Sequence, residues 1–280
     1  MAIIKAKVIR KLRTRQQAYG DKHEKDVAFY LRRAFKDDDR YHVFNDLRIV
    51  FDGEVAQIDH LILHKKGFVL IESKSIYGEV KVNKRGEWQR SHNGHWKGMA
   101  SPIRQVELQK HLLQNLLYAN DSKLLGKFLG LQQGFGGRLW SLACAVSNNC
   151  VLHRDEIPMQ ISDKVVKAEN IEYIVRALAQ ESLSLRDLIK SSQPSFTDVE
   201  LENICNFLLE SHVDCSQLHS NLPTDEQEIQ SCLNGKLDNL PTCKHCGASG
   251  DLLKEKRGRY GPYYQCDSCS KNTSLKHAFN

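Results

Sequence analysis

The stretch "QIDHLILHKKGFVLIESKSIYG" (residues 57–78) decides the fold. Two apolar runs of strand length, QIDHLIL (57–63) and GFVLIESK (67–74), are joined through HKKG (64–67), a short hairpin signal. With Lys65 and Lys66 as a two-residue loop, His64 faces Gly67. Counting five residues back and five forward then sets Asp59 opposite Glu72, with both side chains on one face. A bulge at Gly67 would shift that pairing by one residue. Alternation along the second strand puts Glu72 and Lys74 on the face of Phe68 and Leu70. A strand with an apolar first half thus ends in charges that are costly to bury. Two carboxylates about 4 Å apart repel by about 4 kcal/mol at an effective dielectric of about 20. A shared proton relieves that repulsion. So does a divalent cation, since Mg²⁺ takes carboxylate oxygens together with water and phosphate.

Outward from the hairpin, Val27, Tyr30, Leu31, Ala34 and Phe35 recur at helical spacing and predict a helix over 17–36. Strands are expected at 41–50, 55–64, 67–74 and 138–147. Helices are expected at 102–118, opened by Pro102, and at 170–180, 184–191 and 197–212. The order α-β-β-β-α-β-α implies an α/β fold, a mixed β-sheet flanked by helices. Glu24 lies three residues before Val27 and seven before Leu31, on the apolar stripe of the first helix. Taken alone, it is also an acid suited to the positive end of a helix dipole. Glu72 and Lys74 taken alone also fit a frayed strand end. Their combination with Asp59 on the neighbouring strand points to a shared site.

An Asp followed by Glu-x-Lys on two adjacent strands, preceded by a helical Glu, resembles the core of the PD-(D/E)xK nucleases. More closely it resembles the nuclease-related domain (NERD) family. The matching pieces are GDKHE (20–24), QIDHLIL (57–63), GFVLIESKSIYGEV (67–80), Trp88 and PIRQ (102–105), within residues 17–150. Gln57 and Ile58 precede Asp59, where the superfamily name has proline. The resemblance implies a restriction-endonuclease-like core in which Glu24, Asp59 and Glu72 hold Mg²⁺ or Mn²⁺ and Lys74 orients or polarises the attacking water. Gln105 becomes an accessory residue of the active site or a phosphate contact. Trp88 and Trp96 are read as packing aromatics, with base stacking as the other reading.

Cys243-x2-Cys246 and Cys266-x2-Cys269 form a four-cysteine Zn²⁺ pattern, expected to be structural because protein ligands saturate it. Between the pairs, Lys254, Lys256, Arg257 and Arg259 accompany Tyr260, Tyr263 and Tyr264, a mixture suited to phosphates and unpaired bases. The segment resembles the C-terminal zinc ribbons of bacterial type IA topoisomerases, which implies single-stranded DNA as a partner. A protein-docking ribbon is the alternative.

The net charge of +6 is uneven. Residues 1–15 carry +6 and residues 243–280 carry +4, leaving −4 on 16–242. Basic ends suit a polyanion, although the first run read alone is a solvated tail and its acid-free composition also suits a transit peptide. The other five of the nine cysteines are scattered, which fits free thiols in a reducing, cytoplasmic setting. No apolar run approaches the roughly 20 residues that span a bilayer, so no membrane partner is expected. The chain divides into a basic segment (1–16), a NERD-like core (17–150), a helical extension (151–215), a polar linker (216–241) and a zinc ribbon (242–280). The function expected is a metal-dependent DNA nuclease with a nucleic-acid-binding ribbon. The alternative is a non-catalytic nucleic-acid-binding or adaptor protein on an inactive nuclease core.

Overall fold

The computed structural model describes residues 3–7, 15–92, 94–180, 195–214, 243–246, 253–258 and 261–274. The chain forms two compact units, Met1–Asp214 and Cys215–Asn280. The helix expected at 184–191 and the linker at 216–241 lie outside the described residues.

In the first unit β1 (Ile3–Lys5) precedes α1 (Arg15–Phe35), followed by β2 (Tyr41–Phe51), β3 (Glu54–His64) and β4 (Gly67–Lys74). The segment after them holds β5 (Glu79–Val82), β6 (Trp88–His92), β7 (His95–Met99) and α2 (Pro102–Tyr118). A short α3 (Asp121–Leu124), β8 (Lys127–Phe128) and β9 (Leu131–Gln132) lead to β10 (Leu139–Val146). Then come β11 (Val151–Leu152), α4 (Met159–Ser162), β12 (Val165–Lys167), α5 (Ile171–Gln180) and α6 (Asp198–Glu210).

The main sheet has the order β1-β2-β3-β4-β10-β12. The β2-β3-β4 meander is antiparallel, and β1, β10 and β12 join in parallel. The β3–β4 pairing runs from His60↔Ile71 to His64↔Gly67. That is the register of a two-residue Lys65-Lys66 loop, with no shift at Gly67. Gly67 answers to a different constraint. Its φ is +153°, and a Cβ there would lie 2.0 Å from the Leu139 carbonyl oxygen, so only glycine lets β10 approach.

Central β4 is buried on both faces, as a strand between two helical layers must be. Phe68 and Leu70 pack with Val106, Leu113 and Leu208 from α2 and α6. Val69 and Ile71 pack with Val27, Leu31 and Val175 from α1 and α5. Ser101 caps α2 by accepting from the Arg104 N–H, with Pro102 in the first turn.

Residues 79–99 form no loose loop but most of a second sheet, ordered β11-β5-β6-β7. Its turns use Gly86 and Gly94, both at φ +80°. Trp88 is buried in its inner face with Val80, Val82 and Ile103. Trp96 is exposed on β7, with the Lys81 ammonium 4.2 Å from its ring centroid.

His64 ends β3 as a buried imidazole whose Nε2 lacks a hydrogen-bond partner. Burial pushes its pKa down to about 4. The folded state therefore stays neutral down to that pH, whereas the unfolded chain takes a proton below about 6.5. Stability is lost as pH falls through that window, by about 2 kcal/mol between pH 7 and pH 5. Urea unfolding of His64→Leu should show a pH 7 to pH 5 loss smaller than that of the parent by this amount. An identical pH dependence in the two proteins would show that His64 is not held neutral.

Candidate active site and cysteine centre

The site begins with an interruption in strand alternation. Ala56 and Ile58 point into the same core cluster as Leu61 and Leu63, so β3 changes face at Asp59–His60. Strand β2 makes the same change between Phe44 and Leu47, where Asp46 takes φ +57°. A left-handed conformation is tolerated by Asp better than by most residues. The break frees Asp59 from the pleat, and its Oδ2 accepts the Ser73 backbone N–H at 2.8 Å. Ser73 lies between Glu72 and Lys74, so this bond ties the two strand ends together.

Glu72 is 1% exposed and held on both oxygens. Oε1 meets the Lys74 Nζ at 2.8 Å, and Oε2 accepts from Gln109 Nε2 at 2.9 Å. Lys74 also donates to Gln105 Oε1 at 2.9 Å. Gln105 and Gln109 are four residues apart on α2, so one helix face serves both strand residues. Behind the strands, His60 links Asn45 (2.7 Å) to the Ser73 hydroxyl (3.0 Å).

The site holds an excess of negative charge. Burial, then repulsion from Glu72 and Glu24, pushes the Asp59 pKa well above its ordinary value. Burial also raises Glu72, despite the opposing pull of Lys74 and Gln109. Burial disfavours the Lys74 ammonium, yet attraction to Glu72 and Asp59 outweighs it and the pKa rises. Asp59, Glu72 and Lys74 each hold a proton more tightly, the two carboxylates chiefly through burial and the ammonium through the carboxylates beside it.

Glu24 stands apart. Helix α1 packs on the sheet face opposite α2. The Glu24 charge reaches Asp59 and Glu72, but the oxygens of the three carboxylates do not all lie within 4.8 Å of one another. Among the described residues, only the four cysteines form a group of three or more potential ligand atoms all within 4.8 Å of one another. The Glu24 Oε2 is instead held by Lys7 Nζ, which also faces Asp21 Oδ1 at 3.6 Å. Residues 3–7 are therefore no solvated tail: β1 pairs with β2, and the Lys7 side chain is 6% exposed. Sequence reasoning missed Lys7 because a lysine in a basic run carries no periodic signal. Gln109 did carry one, as a polar residue at i+3 from Val106 on the buried face of α2.

In the second unit, β13 (Leu253–Gly258), β14 (Gly261–Cys266) and β15 (Asn272–Ser274) make an antiparallel sheet. Cys243 and Cys269 sulfurs lie 3.6 Å apart, as do those of Cys246 and Cys266. Four sulfurs at about 2.3 Å from a tetrahedral Zn²⁺ have edges of about 3.8 Å, so the cluster fits zinc. Burial alone would raise the Cys243 thiol. The His245 and Cys246 N–H groups and the Thr273 hydroxyl overcome it and hold the pKa down to about 6, favouring the ligating thiolate. Lys256 pairs with Tyr263, and Lys254 with Gln265, so these four share a face. Tyr264, on the other face, packs against the cysteines. Lys254 is paired to Asp267 at 2.8 Å. Of Arg257 only the backbone is described, and Arg259 and Tyr260 lie outside the described residues.

Residues 19–131 match the family model of the nuclease-related domain. The chain thus carries a nuclease-related domain spanning α1 to the start of β9, including Glu24, Asp59, Glu72, Lys74 and Gln105. No curated protein and no solved structure matches the chain. No helix among the described residues is long and apolar enough to cross a membrane.

Proposed function

We propose that the chain is a Mg²⁺- or Mn²⁺-dependent nuclease that hydrolyses DNA phosphodiester bonds, with a zinc ribbon that binds nucleic acid. The observation carrying this reading is the Lys74 ammonium held between Glu72 and Gln105 beside the buried Asp59, within a nuclease-related domain. The donor set fits a hard divalent cation: oxygen ligands, two of them on carboxylates already short of positive charge. Asp59 and Glu72 would hold it, with Glu24 contributing once free of Lys7. When bound there, the ion would supply Lewis acidity for phosphodiester hydrolysis. Lys74 orients the attacking water and stabilises charge developing on the phosphate. Gln105 sets the direction of that ammonium and lies beside it for contact with a phosphate oxygen, while Gln109 fixes the Glu72 carboxylate. On the ribbon, Lys256 beside Tyr263 combines a phosphate contact with a stacking surface for single-stranded DNA. Cys144, Cys150 and Cys205 are unpaired, which supports a reducing, cytoplasmic setting.

The other reading, a nucleic-acid-binding adaptor on an inactive core, is favoured by one observation, the ion pair that ties up Glu24. Plasmid and linear DNA, single- and double-stranded, incubated with Mg²⁺ or Mn²⁺ separate the two. The parent should cleave, and Asp59→Asn should lose at least about 100-fold in rate, as removal of an electrostatic group in a site typically costs. No cleavage of any substrate by the parent, with DNA binding retained, would establish the adaptor reading.

A further inference from the structure

We infer that Lys7 is the resident counter-cation of the carboxylate site and competes with the divalent metal for Glu24. The inference rests on the reading of Asp59 and Glu72 as a divalent-cation site.

The position of Lys7 is built by the fold. Strand β1 docks in parallel on β2, with Ile3 opposite Val43 and Lys5 opposite Phe44. Lys5 is gripped from both ends: its Nζ donates to the Asn45 and Asp46 carbonyls at 3.1 and 2.8 Å, and its carbonyl accepts from Asn45 Nδ2 at 3.1 Å. Two residues further on, the chain delivers Lys7 to Glu24 and Asp21, which lie three residues apart on α1 and so on one helix face. Lys25 takes the other oxygen of Asp21 at 2.6 Å, leaving Glu24 as the main partner of Lys7.

The same anchor reaches the catalytic strand. Asn45, which fixes Lys5, bonds His60, and His60 bonds the hydroxyl of Ser73 between Glu72 and Lys74. The N-terminal segment therefore touches the site twice, once by charge at Glu24 and once by a neutral hydrogen-bond chain at Ser73. A buried ammonium persists only with a partner. Glu24, whose charge acts on the nearby Asp59 and Glu72 carboxyls, likewise needs a cation. In the metal-free protein each supplies the other's need. A divalent ion at Asp59 and Glu72 offers Glu24 a second, doubly charged partner, and Lys7 must then yield it or share it. Lys7 is a positioning residue in this scheme, since it acts on the metal through Glu24.

The test is titration of the zinc-loaded, full-length protein with Mn²⁺ alone, by calorimetry and by the electron-spin signal of free Mn²⁺. Lys7→Met keeps the apolar stem and removes the charge, and should bind Mn²⁺ at least about fivefold more tightly than the parent, a modest shift for removal of a nearby like charge. Lys7→Arg, which keeps the charge, should not bind more tightly than the parent. Unchanged or weaker binding in Lys7→Met overturns the inference and leaves the nuclease reading standing. Absence of Mn²⁺ binding in all three proteins overturns both. A second measurement uses the parent, so that the test stands even where Lys7→Met loses β1 docking. The Lys7 amine should be acetylated slowly by an amine-reactive ester without metal, and several-fold faster with saturating Mg²⁺, as read by peptide mass. Equal labelling under both conditions overturns the inference independently of any variant.

Discussion

Replacing Lys74 by methionine is expected to cut DNA cleavage by about 100- to 1,000-fold while DNA binding stays close to that of the parent. The side chain keeps its length, so packing against α2 survives. What is lost is the one ammonium that bonds Glu72 and Gln105 together. Glu72 is then left buried with Gln109 as its remaining partner. Breaking a buried ion pair typically costs about 3–5 kcal/mol. The loss here should be smaller, because burial already raises the Glu72 pKa and eases uptake of a proton in place of the lost ammonium. The variant should thus fold, melt somewhat earlier and bind DNA, yet turn over almost none. Cleavage at the parent rate would remove Lys74 from the chemistry. Loss of DNA binding together with cleavage would assign it to substrate affinity instead.

The second large effect is expected at the cysteine centre. Cys266 is fully buried and belongs to both the sheet and the cluster, since it pairs with Leu253 and its sulfur lies 3.6 Å from that of Cys246. Among the described residues of this unit, the buried apolar cluster consists of Cys243 and Cys266, with Tyr264 and Cys269 packed against them. The described core is small against the entropy of ordering the strands, so zinc at the four sulfurs is expected to supply the difference. Structural zinc contributes about 10–16 kcal/mol to modules of this kind at neutral pH. Cys266→Ser, or stripping the metal with a strong chelator, should abolish amide-exchange protection over 253–274. Retention of protection in zinc-free protein would mean that the sheet stands without the ion. Single-stranded DNA binding measured on the same samples then tells whether the Lys256–Tyr263 face contributes affinity.

The hairpin at the centre of the domain was legible because its signals are local. HKKG marks a tight turn, and the apolar runs on both sides admit one register that buries both. Pro102 located the start of α2 for a similar reason, and the paired cysteine spacing located the four-cysteine cluster. The second sheet was harder to read. Its strands are short, its outer residues are polar, and the glycines that punctuate it act as turns. Strand β12 was hidden because three residues hold no measurable period. The largest gap concerns the site. Asp59 and Glu72 were placed as neighbours by counting, but the face change at Asp59–His60 depends on Asp46 across the sheet, which no alternation pattern along β3 records. Glu24 lies on α1 as expected and pairs with Lys7. That Lys7 neutralises it follows from the docking of β1, a tertiary event with no sequence period.

The position of β4 between β3 and β10 sets an order of events during synthesis. β3 is available as soon as the hairpin emerges from the ribosome, whereas β10 begins only at Leu139, after β5, β6, β7 and α2 have been made. Until then one edge of β4, from Gly67 to Lys74, has no strand to pair with, and Gln105 and Gln109 have no completed sheet to pack on. Long-range parallel pairing of this kind is slow, and domains complete their folding as units. A growing chain therefore displays Asp59, Glu72 and Lys74 well before it can align them, and the proposed site is complete only once the last strands of the sheet arrive.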